Sequence, residues 1–288
     1  MPRGLSDIRI IIRGAGDLAT GTACRLHRSG FFKLLMTEVE HPLAVRRMVS
    51  FCEAIHEGSW TVEGIQSARA SSLDEVEDSW MSGIIPVVVD PENAFRIKIN
   101  PDVVVDAIMA KKNTGTRITD ATLVIGLGPG FCAGEDVHYV IETNRGHDLG
   151  RLISKGPALP DTGVPGNIGG KTSQRVVRSP ADGIFDSSLQ IGSFVTKGTV
   201  VGNVSGSPVE VALTGVLRGL IRPGTRVTTD LKIGDVDPRG EPSMCLTISE
   251  KAGAIAGAVL EAILMTFNNP VMKSAPRSFR NLTVARDG

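Results

Sequence analysis

A β-branched run, Ile8 to Ile12, passes directly into Arg13-Gly14-Ala15-Gly16-Asp17-Leu18-Ala19, and few folds use such a junction. From Asp17 onward Leu18, Ala23, Leu26 and His27 fall at helical spacing, ending near Gly30. A second apolar strand, Lys33 to Val39, follows and carries Glu38 near its end. In the order strand, glycine loop, helix, strand, Gly14 allows a tight turn and Gly16 lets the backbone approach a pyrophosphate. Ala19 replaces the third glycine and still permits close packing of helix on strand. The amino end of the helix adds unpaired N–H groups and a partial positive charge. Glu38, 22 residues after Gly16, is placed to accept hydrogen bonds from a ribose 2′-hydroxyl, which favours NAD over NADP. Arg46 and Arg47 lie close enough in sequence to blur that preference. The expectation is an α/β fold opening with a Rossmann-like domain, whose cofactor-binding candidates are Gly14, Ala15, Gly16, Asp17, Leu18, Ala19 and Glu38. A Rossmann domain without its nucleotide, or with a mononucleotide, is the alternative.

The alternation continues. Ser72 to Ser79 reads as an acidic surface helix, and Ile84 to Asp90 as a buried strand. Asp102 to Met109 and Ala121 to Ile125 read as further strands ending in polar loops, where open α/β sheets hold ligands. Lys111 or Lys112, in the first of these loops, is a candidate for an anionic ligand. Gly126-Leu127-Gly128-Pro129-Gly130-Phe131-Cys132-Ala133-Gly134 leaves much backbone bare, suiting either a ligand or tight packing, so Gly126, Gly128 and Gly130 join the cofactor-binding candidates. After a strand over Val137 to Ile141, the run Glu142-Thr143-Asn144-Arg145-Gly146-His147-Asp148 gathers carboxylate, amide, guanidinium and imidazole. His147 is the best general-base candidate there, with Glu142, Arg145 and Lys111 as further catalytic candidates. A plain reading has Glu142 and Arg145 pairing and Asn144 with Gly146 shaping a turn.

The predicted boundaries are a nucleotide-binding domain over 1–155, a Gly/Pro-rich linker over 156–175, a β domain over 176–245, and a helix and tail over 246–288. Gly169-Gly170-Lys171-Thr172 resembles the end of a P-loop, but the first glycine of that motif falls on Pro165, and no strand leads in. In the β domain, residues 179–204 and 211–236 repeat at a constant shift of 32. Gly183, Gly192, Val195, Gly202 and Val204 match Gly215, Gly224, Val227, Gly234 and Val236. Such halves suit a barrel-sandwich hybrid of biotinyl/lipoyl type. The junction Ser205-Gly206-Ser207-Pro208-Val209-Glu210 has no lysine, so covalent biotin or lipoate is not expected. Ser249 is placed to cap a helix through Ala252, Ile255, Val259 and Ile263 to Phe267, ahead of a basic tail from Pro270.

Composition excludes some classes. Lys+Arg and Asp+Glu each number 31, so the basic surplus of a nucleic-acid binder is missing. No apolar run approaches the roughly 18 residues of a membrane span, and none reads as a signal peptide. Cys24, Cys52, Cys132 and Cys245 lie far apart, which argues against a zinc site or disulfide framework and for a reduced, cytoplasmic protein.

Several stretches together resemble one family: residues 12–21, Thr37-Glu38-Val39-Glu40, Ala44-Val45-Arg46-Arg47, Gly126 to Phe131, Ile141 to His147, and Lys232-Ile233-Gly234-Asp235-Val236-Asp237-Pro238-Arg239. The chain resembles the YqeB-type accessory proteins of selenium-dependent molybdenum hydroxylases, from about residue 8 to 265. Its first domain is also similar to the Rossmann part of XdhC-type maturation factors. The resemblance implies maturation or insertion of a hydroxylase cofactor, with the hydroxylase or its maturation machinery as partner. The ligand is then NAD, another dinucleotide, or molybdopterin dinucleotide. Cys132 stands where relatives would carry threonine, which argues against a catalytic thiol. The competing readings are an NAD-dependent oxidoreductase, with His147 or Lys111 near the substrate, and a non-catalytic scaffold. Homo-oligomerisation is left open.

Overall fold

The computed structural model describes residues 4–268. The first segment builds β1 (Ile10–Arg13), α1 (Asp17–Arg28), β2 (Leu34–Glu38), α2 (Glu53–Glu57), β3 (Ser59–Val62), β4 (Ile65–Ala70), α3 (Leu73–Met81), β5 (Ile85–Val89), α4 (Phe95–Ile99), β6 (Val103–Asp106) and β7 (Leu123–Leu127). Then come β8 (Cys132–Ala133), β9 (Tyr139–Ile141), β10 (Leu152–Ile153) and β11 (Gly156–Pro157). Nine of these strands form one sheet in the order β10-β9-β7-β6-β1-β2-β5-β4-β3. Strands β9, β7, β6, β1, β2, β5 and β4 run parallel, and the outermost strand at each edge is antiparallel to its neighbour. Both faces of the central strands are covered: Ile10 and Ile12 belong to one core, Ile11 to another, and all are fully buried. This is why the strands read as unbroken apolar runs rather than alternating ones. The chain leaves β1 toward β2 on one side and later places β6 on β1's other flank. A crevice therefore opens at the carboxyl ends of β1 and β6.

The β3–β4 hairpin has no strong signal in the sequence. Strand β7 also ends later than expected: Gly126 pairs with Asp106 and Val140 and Leu127 with Ile141, so both lie inside it. The strand expected over Asp102 to Met109 ends sooner, β6 stopping at Asp106.

The second unit contains β12 (Val176–Arg178), β13 (Gly183–Asp186), β14 (Phe194–Val195), β15 (Val200–Val204), β16 (Ser207–Glu210), β17 (Gly215–Leu220), β18 (Arg226–Val227) and β19 (Lys232–Asp237). The sequence repeat maps strand onto strand, β13 to β17, β14 to β18 and β15 to β19. Two four-stranded antiparallel sheets, β12-β19-β17-β14 and β16-β15-β13-β18, mix strands from both halves. Each repeat thus supplies strands to both sheets, and neither half can close its core alone. Phe185, Leu217, Val204 and Val236 are buried between them. The repeated glycines explain themselves twice: Gly202 meets the Asp186 carbonyl and Gly234 meets Val177, where any side chain would collide.

The final helix, α5 (Glu250–Phe267), is capped by Ser249, whose hydroxyl accepts from the Ala252 N–H. Ile255, Val259 and Ile263 pack into the core of the nine-stranded sheet, and Gly21 of α1 is bare because Ala252 lies against it. The helix after the β unit therefore returns to complete the first unit. The segment 156–175 is tied at several points: β11 pairs with β8, the Leu159 N–H donates to Glu142 at 2.8 Å, and Arg175 Nε donates to the Gly166 carbonyl at 3.1 Å. Gly169 and Gly170, both at positive φ, form a turn closed between Ile168 and Lys171. The basic tail from Pro270 lies outside the described residues.

Candidate functional site

A cleft of about 380 Å³ opens at the carboxyl ends of β1, β2 and β6. Its walls come from the glycine loop and α1 (Gly14, Gly16, Asp17, Leu18), Glu38, the segment 42–46, Ala107 to Met109, and Lys232 of the second unit. Gly14, at φ +93°, carries the turn, and a Cβ there would stand 3.0 Å from the Ala107 carbonyl oxygen. Gly16 differs: nothing lies within 4 Å of where its Cβ would be, so its bare face looks into open space. No side chain caps α1, leaving its first-turn N–H groups unfilled by the protein's own side chains. Ala15 and Ala19 are fully buried, Ala19 where α1 packs on the sheet.

Glu38 sits at the end of β2 beside this loop. Its carboxylate accepts from the Ala15 N–H at 2.9 Å and the Val39 N–H at 2.8 Å. Burial raises its pKa, and the two backbone hydrogen bonds partly offset that rise. Glu38 thus holds the glycine loop in shape and lines the cleft at the same time.

Beneath the cleft lies a polar triad that the sequence does not announce. Arg13 Nη1 pairs with Asp106 Oδ2 at 3.1 Å, Thr116 Oγ1 donates to the same oxygen at 2.6 Å, and Arg13 also meets the Thr116 hydroxyl. All three are buried, and they tie the loop after β6 to the ends of β1 and β6. Arg13 and Asp106 face each other across parallel strands at matching register, so a pairing signal exists but only once the strand order is known.

The second concentration of polar residues comes apart on folding. Gly126, Gly128 and Gly130 do not line the cleft. Their missing side chains make room for the Phe131 ring, the Thr143 side chain and the Lys112 backbone. Glu142 is buried and accepts from the Asn144 N–H at 2.7 Å and the Leu159 N–H at 2.8 Å. Arg145 pairs with Glu250 at the start of α5, and Lys111 with Asp161 at 2.6 Å. His147 is exposed on the turn and is not part of the cleft. Cys132 is half-buried, and burial first, then Glu135, raises its thiol pKa, which disfavours the nucleophilic thiolate. Burial pushes Cys24 up to about 12. Among the described residues, no group of three or more His, Cys, Asp or Glu is arranged to hold a metal. Nor is any described helix long and apolar enough to cross a membrane.

Arg46 and Lys232 matter more than their sequence context suggests. Arg46 is buried; its Nη2 donates to the carbonyls of Met244 at 3.0 Å and Thr247 at 2.9 Å, and Nη1 stands 3.6 Å from Asp17 Oδ2. Among the described residues its Nε and Nη1 have no hydrogen-bond partner. Lys232 reaches the cleft from β19; burial lowers its pKa, and Asp235, 3.8 Å away, pulls the other way. A larger depression of about 1060 Å³ lies at the opposite ends of the strands. It is lined by charges of both signs, Asp7, Asp74, Glu77 and Asp78 with Arg9, Lys33 and Lys98.

The architecture and cleft thus define a mixed α/β chain with a ligand-sized crevice at the carboxyl ends of a largely parallel sheet. No family model matches the chain. It is 47% identical over 262 residues to the Escherichia coli (strain K12) protein named "Uncharacterized protein YqeB", covering 91% of this chain and 48% of that protein. That identity supports a YqeB-type family. The chain spans about half the length of the curated relative it matches. Among solved structures, TcdA (CsdL) is 13% identical with a TM-score of 0.34, covering 92% of this chain and 90% of that one. A succinylglutamate desuccinylase/aspartoacylase from Rhodobacter sphaeroides is 23% identical over 23% of each chain, with a TM-score of 0.20. Likenesses this weak carry no functional argument.

Proposed function

We propose that the chain is an accessory protein of a selenium-dependent molybdenum hydroxylase that binds a pyrophosphate-containing dinucleotide, NAD or molybdopterin dinucleotide, in a Rossmann-like first domain. The observation that carries the binding half is Gly16: its side is open, it faces the cleft, and it precedes an uncapped helix amino end. Glu38 at the cleft edge fits a ribose hydroxyl, its remaining lone pairs being available beyond the two backbone donors. The maturation half rests on the resemblance over the YqeB-like motifs, with the similarity to YqeB as its support. The intertwined β halves fit a biotinyl/lipoyl-type module, and the tight β15–β16 hairpin without lysine fits docking rather than a swinging arm.

The oxidoreductase alternative has less support, since neither His147 nor Lys111 lines the cleft. Calorimetric titration with NAD, NADP, CDP and CTP tests the binding half. Binding by the wild-type chain that is lost in Gly16→Asp is expected. Binding of none of these ligands overturns it. Activation of a molybdenum hydroxylase by the wild type, reduced in Gly16→Asp, tests the maturation half, and unchanged hydroxylase activity with and without the chain overturns that.

A further inference from the structure

Three cationic groups from distant parts of the sequence face the amino end of α1: Arg46 from the loop after β2, Lys232 from β19 of the second unit and Lys251 from the start of α5. Arg46 and Lys232 line the cleft, and Asp17 is the carboxylate that both Lys232 and Lys251 sense. Behind them Arg218 of β17 is buried, which lowers its pKa, as does Arg46 beside it, and its Nε has no hydrogen-bond partner among the described residues. Arg218 has Asp237 at 3.5 Å to balance it, whereas Arg46, with Nε and Nη1 unused among the described residues, is a buried guanidinium that an anion would satisfy. The one acidic neighbour on α1, Asp17, is 3.6 Å from Arg46, too long for a hydrogen bond.

The second unit is not free to withdraw its lysine. Gly219 of β17 is bare because the Val45 backbone lies against it. Arg47 Nε donates to the Leu220 carbonyl at 2.8 Å, and Arg222 reaches Glu53 at 2.5 Å and Glu57 at 2.7 Å. Lys232 is therefore held over the cleft by packing around the same 45–57 segment that carries Arg46.

We infer that the cleft is a phosphate clamp spanning both units, in which Arg46 and Lys232 close on the pyrophosphate chain delivered to the glycine loop, so that its ligands are polyanionic phosphate esters and the phosphates supply most of the affinity. This inference rests on the nucleotide-binding reading above and adds to it a binding residue from the second unit. Binding accordingly joins the two units, and the β module takes part in recognition instead of standing apart from it.

Lys232→Met is the informative variant. Lys232 is partly exposed, and Asp235 keeps its buried partner Arg175 when the lysine is removed, so the fold is preserved. Inorganic pyrophosphate and NAD are titrated into wild type, Lys232→Met, Lys232→Arg and Gly16→Asp at low and high salt. Wild type binds pyrophosphate alone, Lys232→Met weakens pyrophosphate and NAD by a similar factor of about ten, and Lys232→Arg restores most of it. Affinity falls with salt, less steeply in Lys232→Met. If NAD binds and depends on Gly16 while Lys232→Met changes neither ligand, or pyrophosphate alone does not bind, the clamp is wrong and the nucleotide reading stands. If wild type binds neither these probes nor NADP, CDP and CTP, both fail.

Discussion

The stretches at 14–19, with two glycines, and 126–130, with three, both lie at the carboxyl ends of parallel strands, yet they use bareness differently. At Gly16 the missing side chain faces empty space inside the cleft. At Gly126, Gly128 and Gly130 it is filled at once by Phe131, Thr143 and Lys112. The first loop keeps one bare position, Gly16, open to the cleft, and the second gives all three of its bare positions to the protein's own interior. Glycine-rich sequence alone does not separate these cases; what lies within a Cβ's reach does.

The contrast can be broken by substitution. The largest effect belongs to the support beneath the cleft. Arg13→Met leaves Asp106 a buried carboxylate without its cation, held only by the Thr116 hydroxyl and the Ile108 N–H, and costs about 3–5 kcal/mol by denaturant unfolding. A loss under about 1 kcal/mol would mean that the loop after β6 is held by other contacts. Next comes the second glycine loop itself. Gly130 has φ +111° and Lys112 backbone at 2.7 Å, so Gly130→Val should cost about 2–5 kcal/mol. Gly16→Asp, by contrast, should cost less than about 1 kcal/mol while removing nucleotide binding. Equal destabilisation of the two variants would erase the distinction between the loops.

A pH experiment sharpens the role of Glu38. Because burial raises its folded pKa, the folded chain holds that proton more firmly than the unfolded chain does. Wild-type stability relative to Glu38→Gln is therefore highest at low pH. It falls as pH rises from about 4.3, the unfolded glutamate value, through the raised folded value, and is flat above that. A difference that grows with pH would show instead that the backbone hydrogen bonds to Glu38 dominate. The smallest effect is expected at His147, exposed on its turn: His147→Ala should change stability by no more than about 0.5 kcal/mol and leave nucleotide binding as it was. A marked loss of binding would return that turn to the site.

The strand–loop–helix junction at Ile10 to Arg28 and the cap at Ser249 were legible because they are local: β-branching, glycine turns and caps act within a few residues. The β repeat was legible because its two copies face the same packing problem, and the same spacing of glycine and valine solves it twice. The convergence at the cleft was not. Arg46 and Lys232 stand 186 positions apart in the chain, and Arg13, Asp106 and Thr116 meet only when β1 and β6 become neighbours. Nor does the sequence around Glu142 to His147 tell that Leu159 and Glu250 will occupy its carboxylate and guanidinium. By itself the sequence determined the first strand, glycine turn and helix, the repeated β strands and the capped last helix, since short-range sterics set those choices, but not the β3–β4 hairpin. The tertiary structure alone decided which bare backbones face open space and which charges are left without partners, because that depends on how distant segments fill one another's gaps.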